Sequence, residues 1–149
     1  MLLAIHITPK AGQPMTTLAE VEAVVGRGLA GDRYYEKAGA FSKNPGTGRE
    51  VTLIEAEALA SLKAEYGIDL AANLTRRNLL TQGVPLNHLV GREFRIGYVV
   101  LRGMRLCEPC RRVESLSGTA CRKGLVHRGG LRADLVQGGI LRVGAKIEW

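Results

Sequence analysis

Residues 93–106 read Glu93-Phe94-Arg95-Ile96-Gly97-Tyr98-Val99-Val100-Leu101-Arg102-Gly103-Met104-Arg105-Leu106, and this stretch decides the fold class. Its two runs, Glu93–Ile96 and Val99–Leu106, are short, rich in β-branched and aromatic residues, and separated at Gly97, which predicts strands rather than a helix. Working outward, the same texture recurs at Leu2–Ile7, 78–81, 135–137 and 146–149, and 20–25 alternates apolar with polar. Glycines at 83, 91, 97, 103, 138, 139 and 144 punctuate these runs. Short strands at close spacing with glycine turns predict a mostly β (α+β) domain, barrel-like, with a few short helices. One helix stands out. Thr52-Leu53-Ile54-Glu55 has the form of a capping box, Leu59, Leu62 and Tyr66 recur at helical spacing, and Gly67 supplies the stop. The polar segment 36–48 shows no period and reads as a long exposed loop.

The chain has 149 residues, 46% of them hydrophobic, which fits a single domain spanning 1–149 with a real core. No window approaches the ~20 apolar residues of a membrane helix, and the apolar N-terminus is too short for a secretory signal. The cytoplasm is the expected location. Three cysteines, an odd number, argue against a disulfide framework and leave metal ligands, reactive thiols or buried filler.

The net charge of +7 is concentrated in one half. Between Arg76 and Arg132 there are twelve basic residues, all but Lys123 arginine, against Glu93, Glu108 and Glu114. That balance favours an anionic partner, and arginine favours bidentate recognition of phosphate or carboxylate. Nucleic acid is disfavoured, because the region offers only Phe94 and Tyr98 as stacking aromatics.

The chemistry-bearing residues centre on Cys107-Glu108-Pro109-Cys110, followed by Cys121 and His127. Three readings compete. Cys107, Cys110, Cys121 and His127 supply the ligand types of a structural zinc site, at loose spacing. A thioredoxin-like dithiol needs its CxxC at a helix N-terminus within a βαβ unit, and 111–118 is a poor helix opening. A single activated thiolate at Cys110, its acidity raised by the neighbouring Arg111 and Arg112, is the third and favoured reading. Buried filler is as good an account of Cys107 and Cys121. Gly26-Arg27-Gly28-Leu29-Ala30-Gly31 has dinucleotide-motif spacing but opens no helix, so that fingerprint is rejected. Asp32 reads as a turn-capping carboxylate pairing with Arg33 or a more distant arginine. Asn78 either contacts a ligand or satisfies buried backbone. His6 and His88 read as structural.

Taken in order, Gly28–Asp32, Arg49–Ile54, Arg77–Val84, Leu89–Gly97, Cys107–Cys110 and Gly129–Ala133 resemble the landmarks of the MOSC domain, the C-terminal domain of molybdenum cofactor sulfurase. The resemblance runs from about Pro9 to Ile147. It implies a β-barrel-like fold with small helices and binding of the molybdenum cofactor, a phosphorylated pterin dithiolene. The family cysteine falls on Cys110, as metal ligand or persulfide carrier. Gly31, Asp32, Arg77 and Asn78 fall on pocket motifs, and Arg77, Arg111 and Arg112 are suited to holding the phosphate in fork geometry. The resemblance implies either sulfur or cofactor handling, or reduction of N-hydroxylated compounds at the bound molybdenum. It implies a stand-alone domain with no pyridoxal phosphate site, relying on a separate cysteine desulfurase, molybdoenzyme or electron-transfer protein. Relatives often carry Gly-Asp where this chain has Gly144-Ala145. The rival from another class is a non-catalytic basic binding module with the structural zinc site.

Overall fold

The computed structural model describes residues 1–40, 42 and 46–149. The expected loop at 36–48 includes Phe41, Lys43, Asn44 and Pro45, which lie outside the described residues. In chain order the elements are β1 (Leu2–Ile7), β2 (Thr16–Leu18), β3 (Glu20–Val24), β4 (Gly28–Leu29), β5 (Val51–Glu55) and α1 (Ala56–Tyr66). They continue with β6 (Leu79–Thr81), β7 (Glu93–Ile96), β8 (Val99–Leu106), α2 (Arg111–Ser117), β9 (Leu131–Gln137), β10 (Gly139–Arg142) and β11 (Ile147–Glu148). Single 3₁₀ turns lie at Ala72–Thr75, Leu86–Leu89 and Lys123–Leu125.

The strands form where side chains alternate against a core. In β3, Val21 and Ala23 are buried and Glu20 and Glu22 exposed; in β7, Phe94 and Ile96 face in and Glu93 and Arg95 out. The large sheet runs β11-β7-β8-β9-β5-β6-β1-β2, and β10-β3-β4 forms a small one. All pairings between strands are antiparallel except β5 with β6. Val21, Ala23 and Leu141 of the small sheet pack with Leu53, Leu101, Leu131 and Ala133 of the large one in the main core. A second core gathers Leu62, Leu70, Val113, Cys121 and Leu125 under α1 and α2.

Mostly β with two helices matches the sequence reading, but the hydrogen bonding does not close into a barrel. The large sheet keeps two edges, at β11 and β2, and the small sheet is separate. Residues 52–55 form no capping box: Glu55 stands at the N-cap of α1 but makes no side-chain capping bond. They belong to β5, where Val51, Thr52, Leu53 and Ile54 are all buried between β6 and β9. Pairing on both sides outweighs local capping, and the Glu55 carboxylate instead accepts the Leu86 N–H at 2.6 Å. Helix α1 does end as expected, with Gly67 left-handed (φ 67°) and its N–H on the Lys63 carbonyl.

The expectation that 111–118 resists helix formation fails. Val113 is buried in the second core and Gly118, left-handed at φ 66°, closes the turn, so burial overrides weak local signals. Strand β9 also begins four residues earlier than expected, and β2, β4 and β10 carry no strong sequence signature. No helix among the described residues is long and apolar enough to cross a membrane.

Candidate functional site

A cleft of about 110 Å³ opens where the turn at Ala11 and Gly12, the Arg33–Tyr34 segment, Thr52 of β5, Arg76–Arg77, the loop after β8 and the start of α2 converge. Ala40, Glu108, Cys110, Arg112, Val113 and Arg132 complete its walls.

The cysteine loop is held by close backbone approach. Strand β8 ends at Leu106, and the Cys107 N–H donates to the Gly130 carbonyl at 2.7 Å. A Cβ on Gly129 would lie 2.6 Å from the Cys107 carbonyl oxygen and 2.8 Å from the Pro109 ring. Gly130 is left-handed (φ 111°), and a Cβ there would lie 1.9 Å from the Leu53 carbonyl oxygen. The glycine pair lets the loop settle on the sheet. Cys110, extended at φ −128°, is the N-cap residue of α2 and is half-buried against the second core.

Arg77 forms the floor. Only 7% exposed, it donates from Nε to the Gly129 carbonyl (2.8 Å), from Nη1 to Thr75 (3.1 Å) and from Nη2 to Cys107 (2.9 Å) and Glu108 (3.5 Å). The guanidinium therefore spends its fork on four backbone carbonyls of three loops, including the cysteine loop itself.

Asn78 and Asp32 stand behind the walls. Asn78, fully buried, accepts from the Thr52 N–H (3.1 Å) and hydroxyl (2.9 Å) and donates to the His6 carbonyl (3.1 Å), so it fixes the Thr52 that lines the cleft. Asp32, also fully buried, accepts from the Thr8 N–H (3.1 Å), from Arg33 Nη1 (3.2 Å) and from the Tyr34 N–H (3.3 Å). The Asp32–Arg33 pairing expected from sequence is present. Arg33 continues from Nη2 to the Arg76 carbonyl at 3.0 Å, and its guanidinium lies 4.8 Å from the Tyr34 ring centre.

Of the residues singled out in sequence, Cys110, Arg77 and Arg112 line the cleft. Asn78 and Asp32 support it from behind, while Gly31 and the exposed Arg111 lie outside its walls. Sequence reasoning missed Arg33, Tyr34, Thr52, Arg76 and Glu108 as lining residues. Arg76 had one signal, its place beside Arg77 in the basic half, but not the left-handed backbone (φ 65°) that turns it inward.

Guanidinium groups crowd the cleft, those of Arg33, Arg76, Arg77, Arg112 and Arg132. Arg76 is pushed below its ordinary value by burial, then by the charges of Arg33 and Arg112, with Asp32 and Tyr34 opposing. Burial would raise Glu108, but the His127 N–H (2.9 Å), the His127 ring (3.0 Å) and the Arg77 charge outweigh it and hold the carboxyl below its usual range. Burial pushes the Cys121 thiol up. Cys107 is 2% exposed and Cys121 fully buried. Among the described residues no three cysteine, histidine or carboxylate side chains gather to hold a metal ion, so Cys107, Cys110, Cys121 and His127 do not assemble the zinc set. His127 pairs with Glu108 instead.

A family model described as the MOSC domain matches residues 42–148. Solved structures similar to this chain include the YuaD protein of Bacillus subtilis, at 17% identity and TM-score 0.78, covering 99% of this chain and 95% of that one. YiiM of Geobacillus stearothermophilus matches at 14% identity and TM-score 0.72, covering 98% of this chain and 72% of the other. YiiM of Escherichia coli matches at 17% identity and TM-score 0.68, covering 99% and 68%. At these identities the likeness is one of fold. No curated protein sequence matches the chain.

Proposed function

The chain belongs to the MOSC domain family, and from that premise we propose that it binds the molybdenum cofactor in the arginine-lined cleft, with Cys110 as the thiol that meets molybdenum or carries sulfur. The observation that carries this reading is that one cleft unites a half-buried cysteine with Arg33, Arg76, Arg112 and Arg132. The donor set suits the group. A thiolate is a soft ligand of the kind a thiophilic metal accepts, and guanidinium groups match a phosphate monoester. When bound, the cofactor would supply a redox-active metal and a site for terminal sulfur.

The chain's own residues do the rest. Arg112 and Arg76 offer charge to the phosphate. Arg77, with its donors already on carbonyls, holds the cysteine loop to the floor and adds a fixed positive charge beneath it. Asn78 fixes Thr52, and Asp32 fixes Arg33. The same cleft serves sulfur or cofactor handling with a separate desulfurase or molybdoenzyme. Reduction of N-hydroxylated compounds would need electrons from another protein.

The test is elemental analysis of protein purified without oxygen from a host that makes the cofactor. Molybdenum in the wild type and in Cys121→Ser, but not in Cys110→Ser, is the expected result. Molybdenum retained by Cys110→Ser, or lost equally from both variants, would overturn the reading. Molybdenum in the wild type with turnover of an N-hydroxylated substrate by a chemical reductant would assign the reductase use; an added sulfur on Cys110 by intact mass would assign sulfur handling.

A further inference from the structure

Strands β7 and β8 turn Phe94, Ile96, Val99 and Leu101 inward to the main core. Two cross-strand rows point the other way from the same end of the large sheet. One runs Glu148, Arg95, Val100, Gln137, the other Glu93, Arg102, Asp134, and every member is exposed or half-buried. A cavity of about 400 Å³ opens beside them, walled by Glu93, Phe94, Arg95, Val100, Glu148 and Trp149. Trp149 is 55% exposed, Val136 of β9 47%, and Tyr98, at the tip of the β7–β8 hairpin, 88%. Neither core takes in these three side chains, although Gln137 ties the hairpin to the first row by donating to the Tyr98 carbonyl at 2.8 Å.

The charge of this face departs from that of the chain. Its rows hold three carboxylates and two guanidinium groups, and Lys146, 3.1 Å from Glu148, supplies a third cation. The face is therefore neutral on a chain whose net charge is +7. Two copies of such a chain repel each other over much of their surface, but not here. Arg102 is bonded to Glu93, whereas Arg95 has no ion-pair partner in its own copy among the described residues.

We propose that this face docks a second copy of the chain, sheet against sheet about a two-fold axis. A two-fold interface must be complementary to itself. The alternation of sign along the rows meets that demand, because the rotation sets Arg95 of each copy against Glu148 of the other. Trp149 and Val136 supply the apolar contact, and tryptophan and arginine are the residue types that anchor interfaces most often. A strongly acidic or basic partner finds no net charge to answer on this face. Pairing through the sheet edge is the poorer route, since β11 has two residues, one of them Glu148, and follows Lys146; short, charged edges resist strand addition. None of these residues lines the cysteine cleft, so the inference does not depend on the reading of that cleft.

The experiment is sedimentation velocity of the full chain over a wide concentration range. Wild type, Arg95→Glu, Glu148→Arg, an equal mixture of these two variants, and Arg122→Glu are compared, with circular dichroism as the check on folding. Wild type is expected to approach twice the 16.1 kDa chain mass as concentration rises. Each single variant is expected to stay monomeric, and their mixture to form a dimer, because each new charge then meets its opposite. Arg122→Glu changes the net charge as much as Arg95→Glu does but lies outside the face, and is expected to dimerise like wild type. A monomeric wild type at every concentration would overturn the proposal. So would a dimer that survives in Arg95→Glu, a mixture that stays monomeric, or equal loss in Arg122→Glu.

Discussion

Replacing Arg77 with methionine tests whether this residue builds the site or touches its ligand. In the fold, its guanidinium satisfies the carbonyls of Thr75, Cys107 and Gly129 at 2.8 to 3.1 Å, with a weaker contact to Glu108. A hydrogen bond from a charged donor contributes about 1.5–3 kcal/mol, and a buried acceptor left without a partner costs about 1–3 kcal/mol. Methionine refills the volume of the stem but none of the donors. Water entering from the cleft recovers part of the loss. A destabilisation of about 3–5 kcal/mol follows, a large share of the ~5–15 kcal/mol available to a domain. Urea unfolding followed by circular dichroism would show it as a midpoint lower by roughly 2 M, taking a slope of ~2 kcal/mol/M. Arg77→Lys should lose most of the same stability, because one ammonium cannot reproduce the fork across three loops. Arg112→Met, whose side chain is exposed at the cleft, should stay within about 0.5 kcal/mol of wild type. A loss below about 1 kcal/mol for Arg77→Met, or equal losses for Arg77 and Arg112, would refute the floor-strut reasoning.

The three thiols should separate under native alkylation. Cys110 should react first, while Cys107 and Cys121, both buried and the latter with its thiol pushed up by burial, should react only on unfolding; peptide mass mapping checks the order. His6 is buried, its Nε2 has no hydrogen-bond partner, and burial lowers it from its ordinary 6.5. The unfolded chain therefore binds the proton more readily. The neutral ring's contribution is complete above pH 6.5 and declines as pH falls below that value toward the lower folded one, so urea midpoints should drop over this interval and His6→Phe should flatten the drop. Gly130→Ala should destabilise by more than about 3 kcal/mol through collision with the Leu53 carbonyl. Gly26→Ala, also at positive φ (79° against 111°) but with open space, should cost only about 1 kcal/mol. Thermal unfolding of the two variants side by side decides it.

What the sequence disclosed follows from which forces are local. Strands β1, β3, β7 and β8 were legible because alternation or a glycine-bounded apolar run is written in the chain itself, and α1 ended where Gly67 said it should. Residues 52–55 misled because the same threonine and glutamate serve a cap or a buried strand, and only partners 26 to 80 residues away in β6 and β9 decide between them. Helix α2 was hidden for the same reason: Val113 and Gly118 matter only once the second core exists. In the site, Cys110 and Arg112 were legible from residue type and neighbourhood. The Asp32–Arg33 pair was legible from adjacency, but the support given by Asn78 to Thr52 and the Thr8 N–H bond that holds Asp32 came from residues 26 and 24 positions away. That Arg77 would spend its donors on carbonyls was not visible either, since the acceptors are backbone and carry no sequence mark.

The reach of the Arg77 bonds bears on how the molecule is made. Its partners extend to Gly129, β5 pairs with β9, and β3 pairs with β10 across more than a hundred residues. During synthesis the Cys110 thiol therefore leaves the ribosome before the floor beneath it can assemble. At ~5–20 residues per second the chain needs roughly one to four seconds more to reach Gly129. Over that interval Arg77 lacks its Gly129 acceptor, and the cysteine loop lacks that part of its floor. Any ligand of the cleft must arrive after translation has passed this point. The thiol and the bonds that support its loop are thus made at different times, and the site is complete only once β9 has joined β5.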